Sequence, residues 1–491
     1  MELLHQRIRV APRPPASQRP VLPVLLLGHA PGRVRRPRIP DEALEQMRSV
    51  GLGPLLEERL FAAPEERALC HLPLPLNSVA EFDDIFPDAR EAATDYRSIL
   101  AGRRAWLPQA VTDFFANGGE RLWVLRIPED EAQAGFLPSR MLVPHDLHSL
   151  RGIALLLSLP EVGVVALPDL ERLQIPANLP DIPRMRLANP EPPFLPCGAE
   201  IDNGHRERRN PGEIEHAPPP LPTGDLLRPV QYLLARHRPD VQCLFTLPLA
   251  YSDTDNADRP GLDPAALADI EAIKADSDGP QLRRLQLLFP YLRGAGYRLV
   301  SSVGALAGLQ AGGARRRGIW RSVAGRPMRT DARPYPAVTL QRTLELRERP
   351  GIGVLQVNGG RVLLDDERLA VPALPPDQYT LTGRAEYRSG EVARFMGFLL
   401  RQLRALGETL AFNVDHRDPR PRLLLEDFFR RLYRQGALRG RKSEDAYRIR
   451  QITGQDAVII FEIEVAPAFP IDRIHIAFVH RGGDWTAELR T

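Results

Sequence analysis

Lysine is all but missing from this chain: Lys274 and Lys442 are the only two, and arginine carries the rest of the positive charge. A GC-rich coding sequence accounts for that bias, and arginine's planar fork of donors also suits ion pairs between subunits. Cysteine is as scarce. Cys70, Cys197 and Cys243 are odd in number, far apart and without any C-x-x-C spacing, so neither a disulfide framework nor a cysteine zinc site is expected. Long apolar runs are also lacking. Val21 to Leu27 is broken by Pro23, is too short to span a bilayer, and follows no charged-then-apolar leader. No membrane insertion by this chain is therefore expected, and the composition fits the cytoplasm, with export needing another route such as cell lysis. A formal net charge of only +3 argues against a dedicated polyanion binder, although local basic patches remain open.

Enzyme signatures are absent too. There is no P-loop, no H-E-x-x-H, no G-x-S-x-G and no dinucleotide glycine pattern after a strand. His145, Asp146 and His148 offer two imidazoles without a third ligand and read as a solvated loop. Asp415, His416 and Asp418 read as a turn and cap. No catalytic, cofactor-binding or metal residues are expected.

What is present is apolar patterning. The 491 residues, 43% of them hydrophobic, predict two to four domains with substantial cores. The stretch LPQAVTDFFANGGERLWVLRIP places Leu107, Ala110, Val111, Phe114 and Phe115 on one helical face, ends the helix at Asn117, Gly118 and Gly119, and continues into an apolar strand from Leu122 to Ile127. Periodicity alone gives an ordinary α/β layer unit.

Along the chain, residues 1–20 read as an extended basic arm. Val21 to Gly28 predicts a strand, Asp41 to Leu60 a polar helix and loop, and Leu72 to Leu76 at best an edge segment. Ser78 with Glu81 forms a capping-box pattern, and a helix is expected over Asp95 to Phe115. Ile153 to Leu159 and Val162 to Leu167 are further apolar runs. From Glu171 to Pro222 the chain is crowded with proline and charge, which reads as an exposed insertion. Helices are expected over Asp225 to Arg236, Pro264 to Lys274 behind an Asp263 cap, Gln281 to Leu292, Ser389 to Ala405 and Leu423 to Gln435. Strands are expected over Val241 to Ala250, Leu340 to Arg349, Val354 to Leu364, Ala457 to Val465 and Pro470 to Val479. On the Leu423 to Gln435 helix, Leu424, Leu425, Phe428, Phe429 and Leu432 are expected to turn inward and Arg430, Arg431 and Arg434 outward.

Three landmarks in this order resemble contractile tail sheath proteins, the family of phage tail sheaths, R-type pyocins and extracellular contractile injection systems. The first is the F-F-x-N-G-G run, Phe114, Phe115, Asn117, Gly118 and Gly119, before an apolar strand carrying an arginine. The second comprises Ser301, Ser302, Val303, Gly304, Ala307, Gly308, Arg317, Gly318, Trp320 and Ala324, where Gly304 and Gly308 make a small-residue face for close helix approach and Arg317 with Gly318 suits a turn before a buried tryptophan. The third is Gly436, Ala437, Leu438 and Gly440 after a helix, followed by a strand ending in Val465, Ala466 and Pro467. VNGGRVL keeps Gly360 and Arg361 of a further family segment, and LAFNV resembles an F-E-P-N strand end.

The resemblance implies an α/β (α+β) multidomain sheath-subunit fold: an N-terminal linker arm at 1–20, a peripheral α/β region at 21–335 that includes the insertion 171–222, a C-terminal mixed α/β core at 336–480 and a tail at 481–491. It implies a structural, non-enzymatic subunit that polymerises in stacked rings around an inner tube and contracts, with baseplate and cap proteins and sheath paralogues as further partners and no cofactor. Arg430, Arg431 and Arg434 would face the tube; a plainly solvated face is the competing reading. Arg7, Arg9 and Arg13 at one end, and Ile474, Ile476, Phe478 and Trp485 at the other, would form inter-subunit arms, or else simply frayed termini. The Pro-Gly-Val-Tyr opening of most sheaths is missing, which implies either a different N-terminal linkage or a specialised, baseplate-proximal paralogue. A different class, a nucleic-acid-binding accessory protein using the 430–442 basic cluster, is disfavoured by the low net charge and the lack of interleaved aromatics.

Overall fold

The computed structural model describes residues 20–90, 101–139, 142–175, 220–250, 261–276, 284–294, 298–348, 351–371, 388–410, 418–453, 458–468, 474–481 and 484–490. The body opens with β1 (Val24–Gly28), α1 (Asp41–Ser49), α2 (Gly53–Leu56), β2 (Leu74–Leu76) and α3 (Val79–Ile85). Ser78 caps α3 as its spacing predicts, its hydroxyl accepting from the Glu81 amide at 3.1 Å. The Glu81 carboxylate reaches one residue further back than a standard capping box and accepts from the Asn77 amide at 2.8 Å.

Next come α4 (Leu107–Ala116), β3 (Leu122–Arg126), β4 (Val164–Ala166) and α5 (Pro168–Leu173). The helix expected from Asp95 starts at Leu107, because the described residues before it, 101–106, form turns. A remote carboxylate fixes that start: Asp169 accepts from the Trp106 amide at 2.8 Å and the Leu107 amide at 2.9 Å. It thereby satisfies donors that a helix start leaves unpaired. The Ile153 to Leu159 run is a buried 3-10 segment. Glu171 to Ile175 are buried as well, so the insertion expected from Glu171 cannot begin before residue 176. Residues 176–219 lie outside the described residues.

The body continues through α6 (Thr223–His237), β5 (Gln242–Thr246), β6 (Leu249–Ala250), β7 (Gly261–Leu262), α7 (Pro264–Asp276), β8 (Leu285–Phe289), β9 (Tyr291–Arg293), β10 (Leu299–Val300), α8 (Val303–Arg317), β11 (Arg333–Tyr335), α9 (Leu340–Glu348), β12 (Ile352–Asn358) and β13 (Arg361–Leu364). Two expectations reverse here. Where a helix is expected at Gln281 to Leu292, Leu285–Phe289 is a strand with all five residues buried. An apolar run that short cannot be assigned by periodicity. Where a strand is expected at Leu340 to Arg349, the chain is helical. Thr339 starts that helix by accepting from the Arg342 amide at 3.2 Å, and Thr343 and Leu346 form its buried side.

These strands build one sheet in the order β13-β12-β8-β5-β4-β1-β3-β2. The pairs from β12 to β3 are parallel, and the edge pairs β12–β13 and β2–β3 are antiparallel. Helices cover its faces, which is why the central strands read as unbroken apolar runs without alternation. Gly359 and Gly360, at φ +55° and +75°, make the two-residue turn between β12 and β13. This hairpin carries the large sheet past the boundary expected at residue 335.

The C-terminal part contains α10 (Gly390–Thr409), α11 (Arg420–Arg434), α12 (Ser443–Ala446) and an antiparallel sheet of β14 (Tyr447–Thr453), β15 (Ile459–Val465), β16 (Ile474–Arg481) and β17 (Asp484–Arg490) in that order. β15 alternates buried and half-buried residues, the signature of a sheet with one face on a core. The expected tail beyond 480 is largely β17, bonded along β16 from Asp484 to Arg490. α10 covers this sheet at its end, where Gly407 lies against the Trp485 ring.

Candidate assembly interface

The landmarks that are far apart in sequence meet in space. α8 crosses α4 on its glycine face. A Cβ on Gly304 would stand 2.6 Å from the Cα of Ala110, and one on Gly308 would stand 2.8 Å from the Cα of Phe114. Gly312, one turn further on, faces the carbonyl oxygens of Asn117 and Gly118. Asn117 fastens the end of α4: its Nδ2 donates to the Asp113 carbonyl at 2.8 Å and to the Arg329 carbonyl at 3.1 Å, while its Oδ1 accepts from the Arg329 amide at 2.8 Å. Gly118 takes φ +94°, and Gly119 leaves room for the Phe114 ring. Phe115 is only partly buried, at the margin of the core.

At the far end of α8, Gly318 takes φ +105° with the Trp320 ring packed over it. Trp320 is buried, as expected, and Arg317 Nη2 donates to the Ser322 carbonyl at 3.0 Å. The two halves of the third landmark pair with each other. The Arg439 amide donates to the Ala466 carbonyl and the Ala468 amide to the Ala437 carbonyl, both at 2.9 Å, and Leu438 bridges Pro467. Gly436 and Gly440 hold the positive φ values that let this loop turn back, +76° and +152°.

α11 presents the basic face. Leu425, Phe428, Phe429 and Leu432 are buried, and Arg430, Arg431 and Arg434 are exposed. Leu424 departs from expectation: it is exposed beside Leu423. With Leu425, Phe428, Phe429 and Leu432 already filling the inward stripe, the position one residue earlier rotates out to solvent. Arg431 pairs with Asp427 at 3.5 Å across one exposed turn.

The arm candidates divide. Arg7, Arg9 and Arg13 lie outside the described residues. Ile474, Ile476 and Phe478 are buried in β16, which is hydrogen-bonded to β15 on one side and β17 on the other. Trp485 stacks on Phe478, with ring centroids 4.5 Å apart. These four are core residues of the chain's own terminal sheet, whose outer strands are β14 and β17.

Two buried carboxylates join α10 to the body, and neither is legible in the sequence. Glu367 takes both forks of Arg394 at 2.6 and 2.9 Å, the Ser322 hydroxyl and the Val323 amide. Burial works against its charge, yet Arg394 and these donors hold its carboxyl below the usual range. Asp240 meets Arg238, Arg401 and Arg404 at 3.0, 3.7 and 3.4 Å. Burial again opposes ionisation, but the arginines bring Asp240 down to about 2. A third buried carboxyl, Glu171, is raised by burial to about 8 even though it accepts from the Thr246 amide at 2.8 Å. Among the described residues, no group of three or more His, Cys, Asp or Glu side chains could hold a metal ion, and no helix is long and apolar enough to cross a membrane.

A mostly parallel α/β body carries a separate antiparallel sheet, and this fold is similar to that of chains in contractile assemblies. The chain is similar to one in the helical sheath of the anti-feeding prophage in its contracted state, with 13% identity over 96% of this chain and 97% of that one and a TM-score of 0.50. It is equally similar to a chain of the anti-feeding prophage baseplate, at 15% identity, 96% of each chain and a TM-score of 0.50. A chain of the PVC sheath complex, from an extracellular contractile injection system in the contracted state, matches at 12% identity over 96% of this chain and 93% of that one, with a TM-score of 0.49. No protein-family model and no curated protein matches the sequence.

Proposed function

We propose that this chain is a structural subunit of the contractile sheath of a phage tail-like injection apparatus. It stacks as rings around an inner tube in a metastable extended state. Contraction makes new contacts between subunits, and the sum over many identical copies drives the tube through a target envelope without nucleotide hydrolysis. Baseplate and cap proteins hold the two ends. Assembly takes place in the bacterial cytoplasm, and lysis releases the particle. The observation that carries this reading is the likeness to a helical-sheath chain along nearly the whole length of both chains.

The large sheet and its helices form the outer body, and α10, α11 and the terminal sheet form the tube-side core, with the basic face of α11 towards the tube. Residues 1–20 form the linker that adds a strand to an outer strand of a neighbour's terminal sheet. The matching likeness to a baseplate chain supports a second reading, a paralogue confined to a baseplate-proximal ring. Electron microscopy of the purified protein tests both: long ridged tubes mark a main sheath subunit, single rings mark the paralogue, and unassembled monomer in the presence of tube overturns both.

A further inference from the structure

Where the body meets α10 and α11 the protein encloses an open cavity of about 570 Å³. Its charged lining consists of Arg121, Arg401, Arg404 and Arg431 against Glu161 and Glu408, an excess of two, which falls to one once Arg238, Asp240 and Asp427, the charges paired behind that lining, are included. One of the glutamates is already engaged, since Glu161 accepts from Trp123 Nε1 at 2.7 Å.

The floor is more telling than the count. Arg401 is 7% exposed and shares the single Asp240 carboxylate with Arg238 and Arg404. Its Nη1 donates to the Asp240 carbonyl at 2.5 Å, while its Nη2 is buried without a hydrogen-bond partner. Burial above all, and the like charges of Arg238 and Arg404, bring Arg401 down to about 10 against the pull of Asp240. A buried guanidinium with an idle donor is costly, and an oxyanion in the adjoining cavity would relieve it through charge. Arginine's planar fork matches the oxygen spacing of phosphate-class anions.

We infer that this cavity binds a small, multivalent oxyanion of the phosphate class. Arg404 and Arg431 hold it from α10 and α11, Arg121 holds it from the body, and Arg401 supplies positive potential from the floor. The chain's own N-terminal stretch does not suit the site: it enters at Pro20 and Val21 on the rim, and residues 1–19 carry Arg7, Arg9, Arg13 and Arg19 against Glu2. The depth of Arg401 favours a ligand small enough to enter over an acidic protein surface.

The test is isothermal titration of the full chain with sodium tripolyphosphate and with inorganic phosphate, at ionic strength matched with sodium chloride. One saturable site is expected, tighter for tripolyphosphate. Arg404→Gln and Arg431→Gln should each weaken it about tenfold, the loss of one charge-assisted hydrogen bond. Arg422→Gln, on α11 but outside the cavity, should leave it unchanged. Should Arg404→Gln melt early, the more exposed Arg431→Gln decides alone. Absence of a saturable site, equal weakening by Arg422→Gln, or binding of polyglutamate with tripolyphosphate inert would each overturn the inference.

Discussion

The α-carbon of Gly308 lies so close to Phe114 that an added methyl would stand 2.8 Å from the Phe114 Cα and nearer still to its carbonyl oxygen. The obstacle is backbone, so no rotamer change can clear it. Gly308→Ala must push α8 off α4, and overpacking of this kind costs about 1–3 kcal/mol. Gly313 is the control. A methyl there would meet side chains alone, Val323 at 3.2 Å and Arg317 at 3.7 Å, so Gly313→Ala should cost far less. Urea unfolding of the two variants checks the difference, and equal midpoints would remove the close-packed crossing from the account.

That crossing also shows what is legible in a sequence. FFANGG and VGALAGL each announce a local demand, a positive φ or a bare helix face, and local demands survive in the residue string. Which helix the bare face meets is a pairing across almost two hundred residues, and only the resemblance to sheaths ties the two segments together. Elements without a local demand read poorly. LQLLF in β8 has no period to betray it, and the alternation of Leu344 and Leu346 imitates a strand until Thr339 is seen capping a helix. Ile474, Ile476 and Phe478 read as a strand, but nothing in them says that the strands on both sides belong to the same chain. Asp240 and Glu367 are invisible for the same reason, since the arginines of α10 that meet them, Arg401 and Arg404 on Asp240 and Arg394 on Glu367, stand on a separate element with no pattern that ties it to them.

Charge reversal on α11 tests the proposed tube-facing surface. Arg430, Arg431 and Arg434 are exposed, so Arg430→Glu, Arg431→Glu and Arg434→Glu together should leave the thermal midpoint close to wild type. Co-sedimentation of sheath with tube should disappear. Normal co-sedimentation would place the tube contact elsewhere.

Removal of residues 1–20 tests the proposed linker. Every strand of the large sheet and of the terminal sheet lies beyond residue 20, the first being β1 at Val24–Gly28. The truncated chain should run as a folded monomer with unchanged circular dichroism, yet form no polymer. Sheaths of normal length from that chain would refute the linker assignment.

Glu171 sets a pH dependence. Burial holds its carboxyl at about 8 in the folded chain against an ordinary 4.5. Through that interval the folded state keeps a proton that the unfolded state has released, so stability falls as pH rises from about 4.5 to about 8 and this group contributes no further change above it. Glu171→Gln has no proton to lose, and its Oε1 can still accept from the Thr246 amide. Thermal midpoints followed from mildly acidic to mildly alkaline pH should decline more steeply for wild type than for Glu171→Gln. Parallel curves would show that Glu171 does not carry the dependence.

Arg394 and Arg401 stand seven residues apart on α10, so two helical turns bring them back to nearly the same side. Each is anchored to a carboxylate rooted in the large-sheet body, Glu367 and Asp240. Near the other end of the same helix, Gly407 is seated on Trp485 of the terminal sheet. α10 thus touches the large-sheet body through Arg394 and Arg401 and the terminal sheet through Gly407, and in the proposed sheath it is the rod that would carry torque from one to the other.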